Sequence, residues 1–297
     1  MSTGAAGRRT VVVTGATGLL GRPLCARLLA RGWEVRALGR DPAAVAAALP
    51  GARAGRCDLP ETIDEALLGG ADALVHAAYA TRETNEARAR EVNEDGTRRL
   101  LEASRRAGIP RFVFVSSIAA DPAAPNYYAR SKHALEGLLD PRRDLVVRPG
   151  QILAPEGRGR FQEMRDAICR TRVVPVFGGG RQPLQTVHVD DLCEAMARAL
   201  ERDVTGALNI AESEPLSLGA FMRRIAERAR VRAFFVPLPF GPTLAALRVI
   251  EALHLPFPLR VESLLAVRGM KRVPVTADLA RLGMTARSAE ESLAQLM

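Results

Sequence analysis

Lysine is nearly missing from this chain. Its 297 residues carry 42 lysines and arginines together, yet only Lys132 and Lys271 are lysine; there are three tyrosines and one tryptophan. The formal charge of +9 and the pI near 10.3 therefore come from arginine. That arginine is scattered along the chain and not interleaved with aromatics. Nucleic-acid binding is not expected, and the charge reads as compositional bias plus an anionic cofactor. Cys25, Cys57, Cys169 and Cys193 lie far apart without Cys-x-x-Cys or Cys/His spacing. Neither a disulfide framework nor a metal site is expected, and the thiols read as reduced in a cytoplasmic protein. There is no repeat and no low-complexity tract. No membrane span is expected either: the most apolar region, Leu238 to Leu259, is interrupted by Pro239, Pro242, Arg248, Glu251, His254, Pro256 and Pro258. Met1 to Arg9 lacks an apolar core and reads as a frayed tail rather than a signal peptide.

What the sequence does contain begins at Val11-Val12-Val13-Thr14-Gly15-Ala16-Thr17-Gly18-Leu19-Leu20-Gly21, an apolar β-branched run that breaks into three glycines spaced three apart. It reads as strand, turn and helix, with Leu20, Leu24, Leu28 and Leu29 recurring at helical spacing. Gly15 suits a tight turn, Gly18 a backbone close to a ligand, and Gly21 close packing of helix on strand. The helix start offers free N–H groups and a positive dipole end to a pyrophosphate. A glycine-rich turn with no ligand would have the same local sequence.

Strand and helix patterns then alternate. Gly32 ends the first helix, Trp33 to Leu38 is a strand, and Asp41 caps an alanine-rich helix to Leu49 with Pro42 in its first position. A third strand ends at Cys57-Asp58-Leu59, Glu61 to Leu68 is expected to be helical, and Ala73 to Ala78 is a fourth strand. A long polar helix from about Arg82 to Ala107 leads to the fifth, Phe112 to Val115. A helix begins near Asn126, Asp144 to Val147 is a sixth strand, and Ala207 to Ile210 returns to the sheet. Phe161 to Cys169 reads as helical, and Asp190 or Asp191 is expected to cap a helix to Leu200. Beyond about Ser213 the chain reads as helices with short extended pieces, the last opened by a Ser288-x-x-Glu291 capping box. Such alternation indicates an α/β fold with a doubly wound parallel sheet. In that arrangement Gly15, Arg40, Asp58, Ala77 and Ser117 converge beyond the carboxyl ends of the strands.

One of the three tyrosines stands four residues before one of the two lysines, Tyr128 and Lys132. By composition such a pair arises by chance at roughly 2%. On a helix both share a face, and an ammonium near a phenol lowers its pKa toward neutrality, as a general acid/base requires. Ser117 is placed to hydrogen-bond a carbonyl or alcohol oxygen. An ordinary surface helix remains the other reading of the same spacing.

Taken together, Thr14-Gly15-x-x-Gly18-x-x-Gly21, Asp58-Leu59, His76-Ala77-Ala78, Asn93 with Gly96-Thr97, Val115-Ser116-Ser117, Tyr128-x-x-x-Lys132, Arg148-Pro149-Gly150 and His188-Val189-Asp190-Asp191 resemble the short-chain dehydrogenase/reductases, in particular their extended and atypical branches. The resemblance runs from about Thr10 to Ile210 and weakly through Thr276 to Leu279. It implies a Rossmann dinucleotide-binding domain over 8–150 and 184–211, and a smaller substrate-binding lobe over 151–183 and 212–297. It implies catalytic roles for Ser117, Tyr128, Lys132 and Asn93. The cofactor-binding set is Gly15, Thr17, Gly18, Leu19, Gly21, Arg40, Asp58, Leu59, Ala77, Ala78, Lys132 and Pro149. Asp58 and Leu59 would border the adenine, Ala77 and Ala78 line the cofactor, Lys132 hold the nicotinamide ribose and Asn93 support the proton path. Read from the residues alone, Asn93 is equally a solvated helix residue.

At the end of the second strand Leu38-Gly39-Arg40 offers a guanidinium and no carboxylate, so NADP(H) is favoured over NAD(H). Asp41 would bond a ribose hydroxyl only if the strand ended one residue later. Sugar-nucleotide epimerases and dehydratases usually continue the Ser-Ser strand end with Val-Tyr-Gly and a longer loop. Here Ile118-Ala119-Ala120-Asp121-Pro122 and a short loop follow, a form closer to atypical relatives such as NmrA-like regulators and the dehydrogenase-like accessory subunit of respiratory complex I. The expectation is an NADP(H)-dependent oxidoreductase acting on a carbonyl or secondary alcohol of a small molecule. Phe234, Phe235, Pro237, Phe240 and Phe257 suggest a hydrophobic substrate, although such residues are more often plain core. A sugar-nucleotide epimerase or dehydratase and a non-catalytic NADP(H)-binding sensor or accessory subunit are the alternatives. A homodimer is compatible with each.

Overall fold

The computed structural model describes residues 8–81, 83, 85–157, 159–255, 257 and 259–297. The expected tail up to residue 7, Arg82 at the expected start of the long polar helix, and Pro256 and Pro258 lie outside the described residues. The β-branched run forms β1 (Thr10–Thr14), buried at every position, and the glycine turn passes into α1 (Gly21–Ala30). Leu20, Leu24 and Leu28 are buried there, whereas Leu29 stays partly exposed. β2 (Glu34–Gly39) follows, then α2 (Pro42–Ala48), whose cap is Asp41 and whose first residue is the expected proline.

β3 (Arg53–Asp58) is followed by β4 (Thr62–Ile63) and a single 3-10 turn, Glu65–Leu67, where a helix over Glu61 to Leu68 was expected. Ile63, Leu67 and Leu68 have helical spacing. The segment folds back instead, pairing Cys57 with Ile63 and Asp58 with Thr62 in an antiparallel ladder. β5 (Ala73–His76) precedes α3 (Glu86–Arg90), a π-helical turn at Glu91–Asp95, and α4 (Gly96–Arg106). The long polar helix thus begins later than expected, because Asn85 turns its side chain to accept from the Arg88 amide.

Next come β6 (Phe112–Val115), α5 (Tyr127–Glu136), β7 (Leu145–Pro149), β8 (Gln151–Leu153), α6 (Arg160–Thr171), β9 (Val173–Phe177), β10 (Pro183–Leu184), β11 (Thr186–His188) and α7 (Val189–Glu201). Asp190 and Asp191 fall inside the first turn of α7 instead of capping it. β12 (Gly206–Ile210), β13 (Leu216–Ser217), α8 (Leu218–Arg228), β14 (Phe234–Leu238), α9 (Phe240–Ala252), α10 (Val261–Arg268), α11 (Thr276–Arg281) and α12 (Ala289–Leu296) complete the chain. The Ser288–Glu291 capping box at the start of α12 is present as read.

The central sheet has eight strands in the order β12-β7-β6-β5-β1-β2-β3-β4. β1, β2, β3, β5, β6 and β7 pair in parallel, which makes this a Rossmann-like α/β fold. Two compact units divide the chain. One comprises the described residues up to Ser116 with Ala134–Val147 and Cys193–Leu208; the other comprises Ser117–His133, Arg148–Leu192 and Asn209–Met297. In the first unit Leu38, Leu74, Leu100, Phe112 and Phe114 pack one fully buried cluster. Each such side chain contributes about 2 kcal/mol by leaving water. The second has its own core around Phe161, Phe221, Ile225 and Leu293, and a smaller one where Leu244 and Leu247 of α9 meet Leu264 of α10.

Candidate functional site

In the first unit the parallel strands β1, β2, β3, β5 and β6 end at Thr14, Gly39, Asp58, His76 and Val115, along one edge of the sheet. The turn after β1 requires its glycines. Gly15 has φ +68, and a Cβ there would lie 2.7 Å from the Ala78 amide nitrogen. A Cβ on Gly21 would lie 2.1 Å from the Gly15 carbonyl oxygen, so α1 starts directly against the turn. The amides of Thr17, Leu19, Leu20 and Gly21 make no hydrogen bond among the described residues. Unpaired N–H groups at a helix start, on a backbone stripped of side chains at Gly15 and Gly18, fit the pyrophosphate of a dinucleotide.

Around this turn the expected residues of the same unit are distributed along the sheet edge. Arg40, one residue past β2, is exposed and makes no ion pair among the described residues. Its neighbour Asp41 accepts from the Ala43 amide at 2.9 Å and the Ala44 amide at 3.3 Å. Asp58 is partly exposed, with an Arg56 guanidinium nitrogen 3.7 Å from its carboxylate. Leu59 is buried against Gly96, where a Cβ would approach the Leu59 Cβ to 2.8 Å. Ala77 and Ala78 are partly exposed beside Gly15.

Asn93 is buried, not solvated. It lies in the π-helical turn; its Oδ1 accepts from the Ala80 amide at 2.7 Å, and its Nδ2 has no partner among the described residues. His76 holds the end of β5, its ring nitrogens 2.7 Å from the Thr14 hydroxyl and 2.9 Å from that of Thr97.

The second unit holds the residues with acid/base chemistry. The Ser117 and Tyr128 hydroxyls are hydrogen-bonded to each other. Lys132 is buried one helical turn beyond Tyr128 on α5. The Pro149 carbonyl accepts from the Ile118 amide at 3.1 Å, tying the residue after Ser117 to the end of β7. Tyr128 as a whole is half-buried, but its hydroxyl lies deep among protein atoms. Burial pushes its phenol above the ordinary range, and the Ser117 hydrogen bond and the Arg160 charge offset part of that. This is opposite to the lowering expected from a lysine four residues on, because enclosing a phenolate costs more than neighbouring cationic charge returns.

Three further charged residues take positions for which sequence spacing assigns no role. Arg160 is 32 positions from Tyr128, a spacing that carries no signal. Glu136 accepts from the Ser116 hydroxyl, and it shares the helix of Tyr128 and Lys132. Glu212 is buried; it accepts from the Thr186 amide and hydroxyl and, at 2.6 Å, from the Ala289 amide at the start of α12. Burial holds its carboxyl above the usual carboxylate range. Asp191, expected as a cap, instead receives the Arg287 guanidinium at 2.7 Å.

Comparison with known proteins agrees with this architecture. A ketoreductase of 4-hydroxy-2-methyl-3-oxo-4-farnesyl-3,4-dihydroquinoline-1-oxide from Stigmatella aurantiaca is 33% identical over 267 residues, 81% of this chain and 79% of the relative. A ceramide reductase from Caulobacter vibrioides is 32% identical over 261 residues, covering 82% and 78%. The crystal structure of gox2253 superposes with a TM-score of 0.79 at 23% identity, over 96% of both chains, which shows a shared fold. The profile of the NAD dependent epimerase/dehydratase family matches residues 11–211. The chain belongs to that family and is an NAD(P)-dependent enzyme of the reductase or epimerase type.

Proposed function

We propose that this enzyme is an NADP(H)-dependent oxidoreductase of a lipophilic carbonyl or secondary alcohol. The observation that carries the reading is the hydrogen bond between Ser117 and Tyr128, one helical turn before the buried Lys132. The bound dinucleotide supplies or accepts the hydride. Tyr128 delivers or removes the proton at the substrate oxygen, and Ser117 hydrogen-bonds and orients that oxygen. Lys132 holds the nicotinamide ribose, and the Nδ2 of Asn93, without a partner among the described residues, supports the proton path. Gly15, Thr17, Gly18, Leu19 and Gly21 receive the pyrophosphate, Asp58 and Leu59 border the adenine, and Ala77, Ala78 and Pro149 line the cofactor.

NADP(H) over NAD(H) is supported by the end of β2. That strand stops at Gly39, the Asp41 carboxylate caps α2, and the uncommitted Arg40 guanidinium suits a 2′-phosphate. The lipophilic substrate class is supported by the two reductases at 32–33% identity, whose names specify a farnesylated quinoline oxide and ceramide. The dinucleotide domain is assigned to 8–150 and 184–211, with the substrate lobe in 151–183 and 212–297. Free cysteines, three of them buried, accord with a cytoplasmic location.

The test is NADPH consumption against a panel of long-chain ketones, keto-sphingolipids and ketosteroids. Consumption that disappears in Tyr128→Phe supports the reading. Turnover of UDP- or dTDP-sugars instead would assign an epimerase or dehydratase, and NADPH binding with no turnover would assign a sensor.

A further inference from the structure

Buried and exposed apolar residues separate sharply on α9. Leu244 and Leu247 face inward onto Leu264, while Val249 is 59% exposed and Leu253, four residues on at the helix end, is 64% exposed. The exposed series continues through Leu255 and Phe257, at 54% and 50%. Four large apolar side chains in nine residues are thus left in solvent on one short stretch, beyond what single scattered surface hydrophobes amount to. Phe257, whose sequence suggests either a hydrophobic substrate site or plain core, belongs to this surface.

The charge bordering the stretch is positive and uncommitted. Arg248 and Arg260, which flank the stretch in sequence, are exposed and make no ion pair among the described residues. The acids adjoining it in sequence are Glu251, which accepts from the Val261 amide at 3.0 Å, and the exposed Glu262. Lys271 and Arg272 are already paired, with Asp121 and Glu214. Exposed leucine, valine and phenylalanine rimmed by free guanidiniums are the components of interfacial membrane binding: apolar side chains enter the headgroup boundary while arginine stays among anionic phosphates. A self-contact through this patch would bring like charges of two copies together.

We propose that Val249 and Leu253 at the end of α9, with Leu255 and Phe257 after it, dock the protein on an anionic lipid surface. No helix of the described residues is long and apolar enough to cross a membrane, so the docking is peripheral. The surface would give access to the lipophilic substrates proposed above, but its evidence and its test are independent of turnover.

The test is co-sedimentation of the full chain with vesicles of phosphatidylcholine alone and with about one third phosphatidylglycerol. Binding is expected to the anionic vesicles, at least about tenfold weaker to neutral ones, and weakened by added salt. Leu253→Ser with Phe257→Ser should reduce it about tenfold or more, as should Arg248→Gln with Arg260→Gln, with unchanged thermal melting and NADPH affinity. Absence of binding to anionic vesicles, or binding by both double variants equal to that of the parent, would overturn the proposal. So would a dimer in multi-angle light scattering that Leu253→Ser with Phe257→Ser dissociates, since the patch would then be a self-contact.

Discussion

Arg40 and Asp41 are adjacent in sequence and opposite in commitment: the carboxylate is bound to two amides of α2, and the guanidinium is exposed without a partner among the described residues. Arg40→Ala should therefore raise the NADPH dissociation constant about tenfold or more and leave that of NADH nearly unchanged. Asp41→Ala should cost about 1 kcal/mol of stability through the lost cap without altering the NADPH to NADH ratio. Fluorescence titration and urea unfolding measure the two effects separately; equal loss of both cofactors in Arg40→Ala would remove the 2′-phosphate assignment.

Gly21 tests the steric basis of the dinucleotide turn. A methyl group there meets the backbone carbonyl of Gly15, which cannot swing aside as a side chain would. Gly21→Ala should destabilise the protein by about 2 kcal/mol and weaken NADPH binding. Gly69 has open space around its Cβ position, so Gly69→Ala should stay within about 0.5 kcal/mol of the parent in the same urea experiment.

A charge network binds α1 to α7 within the first unit. Glu194 receives Arg27 at 2.7 Å, Arg31 at 2.6 Å and Arg198 at 2.6 Å. Burial alone would raise its carboxyl, but hydrogen bonds and charges from Arg198 and Arg31 outweigh that and hold it at about 2. A carboxyl depressed in the folded state stabilises above its unfolded pKa, and that stability is lost as pH falls through the folded value. Glu194→Gln should thus cost about 1 kcal/mol at pH 7, allowing for solvent screening. The difference from the parent should shrink as pH drops from about 4.5 to about 2. A difference that does not change over that window would exclude the network as its source.

The parts of the fold legible in sequence were those set by local chemistry. Gly15 and Gly21 stand where any side chain collides, Asp41-Pro42 starts a helix by capping and fixed φ, and Ser288 with Glu291 closes a capping box. Segments decided by distant partners depart from their local pattern. Glu61 to Leu68 carries helical spacing but hydrogen-bonds back to β3, and the π-helical turn that buries Asn93 depends on the Ala80 amide. In the second unit Phe234 and Phe257 are exposed, although such aromatics suggest a hydrophobic site or plain core, because nothing in local sequence records which face of β14, or of the segment after α9, is covered. Lys132 stands out by its rarity; Arg160 and Glu212 reach their places through folding alone.

The most direct measurement is turnover and cofactor binding of Tyr128→Phe beside the parent, with NADPH and a lipophilic ketone that the parent reduces. Removing one hydroxyl should lower kcat at least about a hundredfold while the NADPH dissociation constant stays within about twofold. Turnover retained at the parent rate would contradict the central claim, because the proton would then reach the substrate oxygen by another route.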